Sequence, residues 1–89
     1  MIVEFDKSFL KSLDKIKDSD LNLKIEKIII DYEKVESITE IKNTKKLIGF
    51  KSYFRTRIGD YRIGFEKLNS TTIRLITIAH RKEIYKVFP

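Results

Sequence analysis

Three arginines fall within eight residues of the stretch Tyr53-Phe54-Arg55-Thr56-Arg57-Ile58-Gly59-Asp60-Tyr61-Arg62-Ile63-Gly64-Phe65-Glu66. Arginine is permanently charged and presents a planar fork of donors suited to phosphate oxygens. Gly59-Asp60 between two alternating runs predicts a two-residue hairpin loop. That loop sets Ile58 opposite Tyr61, Arg57 opposite Arg62, Thr56 opposite Ile63, Arg55 opposite Gly64 and Phe54 opposite Phe65. Side chains alternate along a strand. Phe54, Thr56, Ile58, Tyr61, Ile63 and Phe65 therefore make a core face, while Arg55, Arg57 and Arg62 share the other, with Gly64 leaving an open spot beside Arg55. Like charges gathered in this way repel and lower stability unless an anion neutralises them. The competing account is surface pairing with Glu66, Glu83 or helix carboxylates. Such pairs contribute little, and residues 41–89 hold three acids against twelve Lys and Arg. The patch therefore predicts a phosphate-bearing ligand.

Further along lie Ala79-His80-Arg81-Lys82-Glu83-Ile84-Tyr85. His80 is the one side chain whose ordinary pKa suits proton transfer near neutrality, although a histidine closing a strand can also be structural. Arg81 can stabilise a pentavalent phosphate or its leaving group. Tyr53 and Tyr85 offer flat surfaces for unstacked bases, a feature of single-stranded RNA recognition. Other chemistries find little footing. The chain has no Cys and one His, which argues against zinc. No glycine-rich nucleotide loop and no strand–elbow–helix around a serine are present, so no cofactor and no metal site is predicted.

The elements that must position these residues follow from periodicity. At 89 residues the chain predicts one domain, residues 1–89, with a modest core. Ile2–Phe5 is a short strand candidate. Asp6 is placed to cap a helix from about Lys7 to Lys17 carrying Phe9, Leu10, Leu13 and Ile16, with Phe5 and Leu10 as a hydrophobic staple. Asp18-Ser19-Asp20 breaks the pattern and caps a second helix, with Leu21, Ile25, Ile28, Ile29, Tyr32 and Val35 on one stripe, ending near Glu36. The two helices predict an antiparallel hairpin. Residues 37–46 predict a polar loop holding a short helical or extended piece, and Leu47–Phe50 the start of a strand.

A last strand runs from about Thr72 to Ala79. A two-residue loop at Asn69-Ser70 would pair Arg62 with Thr77 and place Leu75, Ala79 and Arg81 on the arginine face. A three-residue loop would place Arg74 and His80 there. The final residues Arg81–Pro89 predict a helical turn that folds Tyr85 over the patch. The resulting class is α+β: an N-terminal strand and a helical hairpin on one face of a small antiparallel sheet. Charge supports a one-sided molecule, since residues 1–40 carry seven lysines and ten acids. The longest aliphatic run, Ile28-Ile29-Ile30, is far too short to span a bilayer, so a cytoplasmic protein without a membrane partner is expected.

This order of elements resembles the RelE/ParE toxin superfamily over essentially the whole chain. The most specific segments are Lys46-Leu47-Ile48-Gly49, the hairpin Phe54–Ile63 with its Arg-x-Arg-x-Gly-Asp-Tyr-Arg, and His80-Arg81 followed by Tyr85. The combination resembles the RelE branch. The resemblance implies a toxin that cleaves mRNA on the ribosome, held inactive by a cognate antitoxin, with the substrate's own 2′-hydroxyl attacking the adjacent phosphate and no metal required. Carried onto this chain, Arg62 holds the scissile phosphate, Arg81 stabilises or protonates the leaving oxygen, and Tyr85 stacks on or orients a base. Arg55, Arg57, Tyr53, Lys51 and Lys82 form the RNA-binding set. Arg55 and Arg57 stand where RelE enzymes carry lysines. Arginine effectively cannot release its proton, which makes His80 the expected proton carrier. The alternatives are a ParE-like inhibitor of DNA gyrase and a non-catalytic RNA-binding module or decayed toxin.

Overall fold

The computed structural model describes residues Met1 to Pro89. Strand β1 (Ile2–Phe5) leads into helices α1 (Lys7–Asp14) and α2 (Ser19–Lys34), a 3-10 turn at Ile38–Glu40, strands β2 (Thr44–Lys46), β3 (Tyr53–Ile58), β4 (Tyr61–Lys67) and β5 (Thr72–His80), and a short helix α3 (Ile84–Val87). The five strands form one sheet in the order β1-β5-β4-β3-β2. The sheet is antiparallel except at one edge, where β1 pairs parallel with β5, Ile2 opposite Thr72 through Phe5 opposite Leu75. A parallel pair needs a long crossover, and everything from α1 to β4 lies between these two strands.

Asp6 caps α1 as expected, its carboxylate accepting from the Ser8 amide at 3.0 Å. The Ser8 hydroxyl and backbone amide hold its carboxyl below the usual range. The helix stops at Asp14, short of Lys17, and Ile16 turns toward the core. The aromatic contact at the helix entry is Phe5–Phe9, with ring centroids 5.9 Å apart, while Leu10 faces solvent. Asp18 caps α2 through the amides of Asp20 and Leu21, and α2 ends at Lys34 because Val35 is already extended. The polar segment contains the 3-10 turn, closed by a Ser37/Glu40 capping box, and then the strand Thr44–Lys46. The strand expected at Leu47–Phe50 therefore lies just before it.

Phe9, Leu21, Ile25 and Tyr32 from the helices pack on Ile58, Ile63, Phe65, Ile73, Leu75 and Ile78 from the sheet. Phe54 stacks on Phe65 at 5.4 Å. The predicted core face of the β3–β4 hairpin thus meets the helical hairpin. Gly59 takes φ +56° at the first loop position, a conformation open to glycine, and the β3–β4 register is the expected one throughout.

The β4–β5 pairing begins in the three-residue register, with Arg74 on the arginine face, but does not keep that parity along the whole strand. The Leu68 amide donates to Thr72 at 2.9 Å, which closes a three-residue loop. The register then shifts between Gly64 and Phe65: Phe65 faces Leu75, but Gly64 faces Thr77. Ile76 is the extra residue of a β-bulge. Arg74 therefore shares the arginine face near the loop, Thr77 and Ala79 share it further on, and His80 pairs with Tyr61 on the helix side. Helix α1 pins this bulge. The Ser8 hydroxyl donates to the Ile76 carbonyl, and the Ser12 hydroxyl accepts from the Ile78 amide at 3.0 Å.

Within the core, the Tyr32 hydroxyl donates to Thr56 Oγ1 at 2.7 Å, and Thr56 Oγ1 lies 2.8 Å from Thr44 Oγ1. Burial raises the Tyr32 pKa well above the ordinary 10.0 because phenolate would lose its hydration. In the unfolded chain Tyr32 ionises near pH 10, whereas the folded chain keeps it neutral. Stability therefore falls as pH rises past 10, by about 1.4 kcal/mol per pH unit until the folded value is reached. Denaturant unfolding at about pH 9 and about pH 11 checks this. Tyr32→Phe is expected to remove this component of the alkaline loss, and an identical pH slope in both proteins would contradict it.

Candidate active site

The sheet face away from α1 and α2 carries the arginines. Its open edge forms a cavity of about 560 Å³ lined by Asn43, Thr44, Lys45, Arg55, Arg57, Arg62 and Tyr85. Lys45 lies directly opposite Arg55 on β2–β3, and Arg57 opposite Arg62 on β3–β4. Cross-strand like-charge pairs of this kind are destabilising.

Each arginine is held differently. Asn43, at φ +58°, accepts the Arg57 amide with its carbonyl at 2.9 Å and the Arg57 guanidinium with Oδ1 at 3.2 Å. Arg62 Nη1 donates to the carbonyls of Gly59 and Tyr61, both at 2.9 Å, which leaves its Nε and Nη2 donors for another acceptor. The Arg55 guanidinium carbon lies 4.7 Å from the centroid of the Tyr85 ring, a cation–π contact.

The late acids do not neutralise this pocket. Asp60 pairs with Arg81 at 3.9 Å and Glu83 with Lys86 at 3.7 Å. Glu66 stands opposite Arg74 in the register, but Arg74 bridges to Glu4 at 3.2 Å. Surface pairing therefore does not explain Arg55, Arg57 or Arg62.

A small second core positions Tyr85. Leu47, Ile84 and Phe88 are buried on the arginine face, with Tyr53, Ile76 and Ala79 packed against them. The bulge contributes Ile76 to this cluster. Phe88 lies on Gly64, where a Cβ would come within 2.5 Å of its ring. The spot beside Arg55 that appeared open is thus filled by Phe88. With Ile84 buried and Phe88 seated, α3 holds Tyr85, itself 75% exposed, over Arg55.

The expected site residues divide accordingly. Arg55, Arg57, Arg62 and Tyr85 meet in the pocket. Arg81 lies beyond the pocket lining, with its amide donating to the Asp60 carbonyl at 2.7 Å, so that Arg62 and Arg81 both reach the Gly59–Asp60 turn. Tyr53 is half-buried between Phe50 and Phe88, with centroids 5.6 and 5.5 Å away, and so belongs to the second core rather than to an open stacking surface. Lys51 and Lys82 are exposed outside the pocket lining.

His80 does not join the arginines. Its ring meets Tyr61 edge-on at 5.5 Å, its Nδ1 accepts from the Lys82 amide, and it lines a separate groove with Ser8, Ser12 and Lys15 of the α1 region. The bulge at Ile76 is the physical reason. Sequence reasoning missed Asn43, Thr44 and Lys45. Short polar edge strands resemble loops, and only the pairing with β3 brings these residues to Arg55 and Arg57.

A family model described as ParE toxin of type II toxin-antitoxin system, parDE, matches residues 3–85. The chain is 38% identical over 90 residues to Toxin RelE3 of Methanocaldococcus jannaschii, covering 100% of both. Its structure is similar to a chain of the RelB-RelE antitoxin-toxin complex from Methanococcus jannaschii, with TM-score 0.81, 34% identity, and coverage of 97% of this chain and 99% of that one. A chain of the archaeal RelE-RelB complex from Pyrococcus horikoshii OT3 shares the fold at TM-score 0.71 and 20% identity, over 90% and 93% of the two chains. The protein belongs to the RelE/ParE superfamily and is a toxin of a type II toxin–antitoxin system.

The close approach at Gly64 carries a direct test. Gly64→Ala is expected to unseat Phe88 and lower stability by about 1–3 kcal/mol through overpacking. In a Phe88→Ala background the same substitution should have a much smaller effect. A double-mutant cycle by denaturant unfolding measures the coupling, and additive effects would show that the two residues do not meet.

Proposed function

We propose that this toxin is a ribosome-dependent mRNA endonuclease of the RelE type that uses the substrate's 2′-hydroxyl as nucleophile. The observation that carries this reading is the convergence of Arg55, Arg57 and Arg62 around one open cavity that no acid neutralises. In the reaction, the 2′-oxygen bonds to phosphorus and the bond from phosphorus to the 5′-oxygen breaks. The products are a 2′,3′-cyclic phosphate, or a 3′-phosphate after hydrolysis, and a 5′-hydroxyl. Fixed guanidiniums favour the dianionic transition state more than the monoanionic substrate, which is the differential binding that accelerates a reaction. Arg62 holds the scissile phosphate, Arg55 and Arg57 bind its neighbours, and Arg81 approaches the leaving oxygen from the Gly59–Asp60 turn. Tyr85, exposed over Arg55, stacks on a base. Lys51 and Lys82 add charge for the RNA backbone. The nucleophile and the cationic donors are all supplied without a metal.

The partner in this reading is a cognate antitoxin, as in the RelB-RelE complexes of the similar structures. An acidic or amphipathic segment would neutralise the arginine face and cover exposed apolar residues such as Ile2 and Leu23, which are 61% and 63% accessible. The ParE alternative, inhibition of DNA gyrase by binding, has no need of a phosphate pocket. The protein is expected to leave gyrase supercoiling unchanged.

Single-turnover cleavage on programmed ribosomes with EDTA-treated protein tests the reading, with magnesium supplied only for the ribosome. Arg62→Ala and Arg81→Ala should each lose about a hundredfold in rate, equivalent to roughly 3 kcal/mol, while keeping the fold. His80→Ala should cleave at close to the wild-type rate. Equal rates in wild type, Arg62→Ala and Arg81→Ala would leave a binding protein rather than an endonuclease.

A further inference from the structure

The pocket holds its cations in two chemical forms. Arg55, Arg57 and Arg62 are guanidiniums, which bind phosphate but keep their protons. Lys45 is an ammonium, which can give up a proton and take it back. It lies directly across the β2–β3 pair from Arg55, on an exposed edge strand whose flexible stem can follow a substrate into the cavity. The other lining groups are less suited to the task. Thr44 Oγ1 is engaged by Thr56 Oγ1 and the Lys42 carbonyl, Asn43 carries an amide, and the Tyr85 ring is held over Arg55. His80 faces the α1 side of the sheet.

We propose that Lys45 is the general acid of this pocket, an assignment that rests on the endonuclease reading above. As the 2′-oxygen bonds to phosphorus, the 2′-hydroxyl proton passes to water. The bond from phosphorus to the 5′-oxygen breaks with its electron pair going to that oxygen, which takes a proton from Lys45 Nζ. The resulting amine recovers its proton from solvent. The strand pairing thus supplies from β2 a proton donor that the arginines at 55 and 57 cannot be.

A leaving group that needs no proton separates proton donation from charge. Two messages are placed on programmed ribosomes, one ordinary and one with sulfur replacing the bridging 5′-oxygen at the scissile phosphate. Lys45→Ala and Lys45→Arg are each expected to cleave the ordinary message at least about a hundredfold more slowly than wild type. Both are expected to cleave the sulfur-bridged message at the wild-type rate, because a thiolate departs unprotonated. Wild-type cleavage of the ordinary message by Lys45→Arg, or an undiminished defect of Lys45→Ala on the sulfur message, would overturn the assignment in favour of phosphate binding alone. Arg62→Ala should be slow on both messages. A wild-type protein that cleaves neither message overturns the endonuclease reading itself, and the assignment of Lys45 with it.

Discussion

The arginine face depends on the close contact between the Phe88 ring and the bare Cα of Gly64. At that point the register of β4 and β5 shifts, and the extra residue, Ile76, joins Phe88 in the second core. Any larger residue at 64 would occupy the space of the ring. Through Phe88 and Ile84 the contact holds α3 against the sheet, and through α3 it holds Tyr85 above Arg55. A helix of four residues has little stability of its own. Its position comes from these side chains, so the geometry of the pocket rim follows from packing on the far side of Gly64.

The two faces of the sheet follow opposite physical rules. On the helix side, polar groups are buried only with partners, as the Tyr32–Thr56–Thr44 chain shows. On the other side, cations face cations across two strand pairs, Lys45 with Arg55 and Arg57 with Arg62. Nearby acids are engaged elsewhere, with Asp60 on Arg81 and Glu83 on Lys86. Such a face sacrifices folding stability for attraction toward a polyanion. The hydroxyls of α1 link the two sides, since Ser8 and Ser12 satisfy backbone groups at the bulge that sets the parity of β5.

Much of this was legible in the sequence because it rests on local rules. Gly59-Asp60 fixes a loop length, loop length fixes a register, and alternation then assigns Arg55, Arg57 and Arg62 to one face. The stripes on α1 and α2 follow from helical spacing in the same way. What the sequence concealed depends on distant contacts. The bulge at Ile76 is pinned by serines 64 or more residues away in the chain, and it moves His80 to the opposite side of the sheet from the arginines. Lys45 was hidden because Thr44-Lys45-Lys46 has no apolar alternation and becomes a strand only by pairing with β3. Gly64 was visible as a missing side chain, but not as the seat of an aromatic ring.

The proposed endonuclease holds positive charge on this face against its own repulsion for the sake of an anionic ligand. Thermal unfolding of wild type and Arg57→Gln, each with and without a short single-stranded RNA, tests this most directly. Glutamine keeps a donor for Asn43 while removing the charge opposite Arg62. Alone, Arg57→Gln is expected to be more stable than wild type, by about 0.2–1 kcal/mol for one relieved cross-strand pair. Stabilisation by RNA is expected to be smaller in the variant than in wild type. A variant less stable than wild type, with undiminished stabilisation by RNA, would contradict the claim and make Arg57 a structural residue.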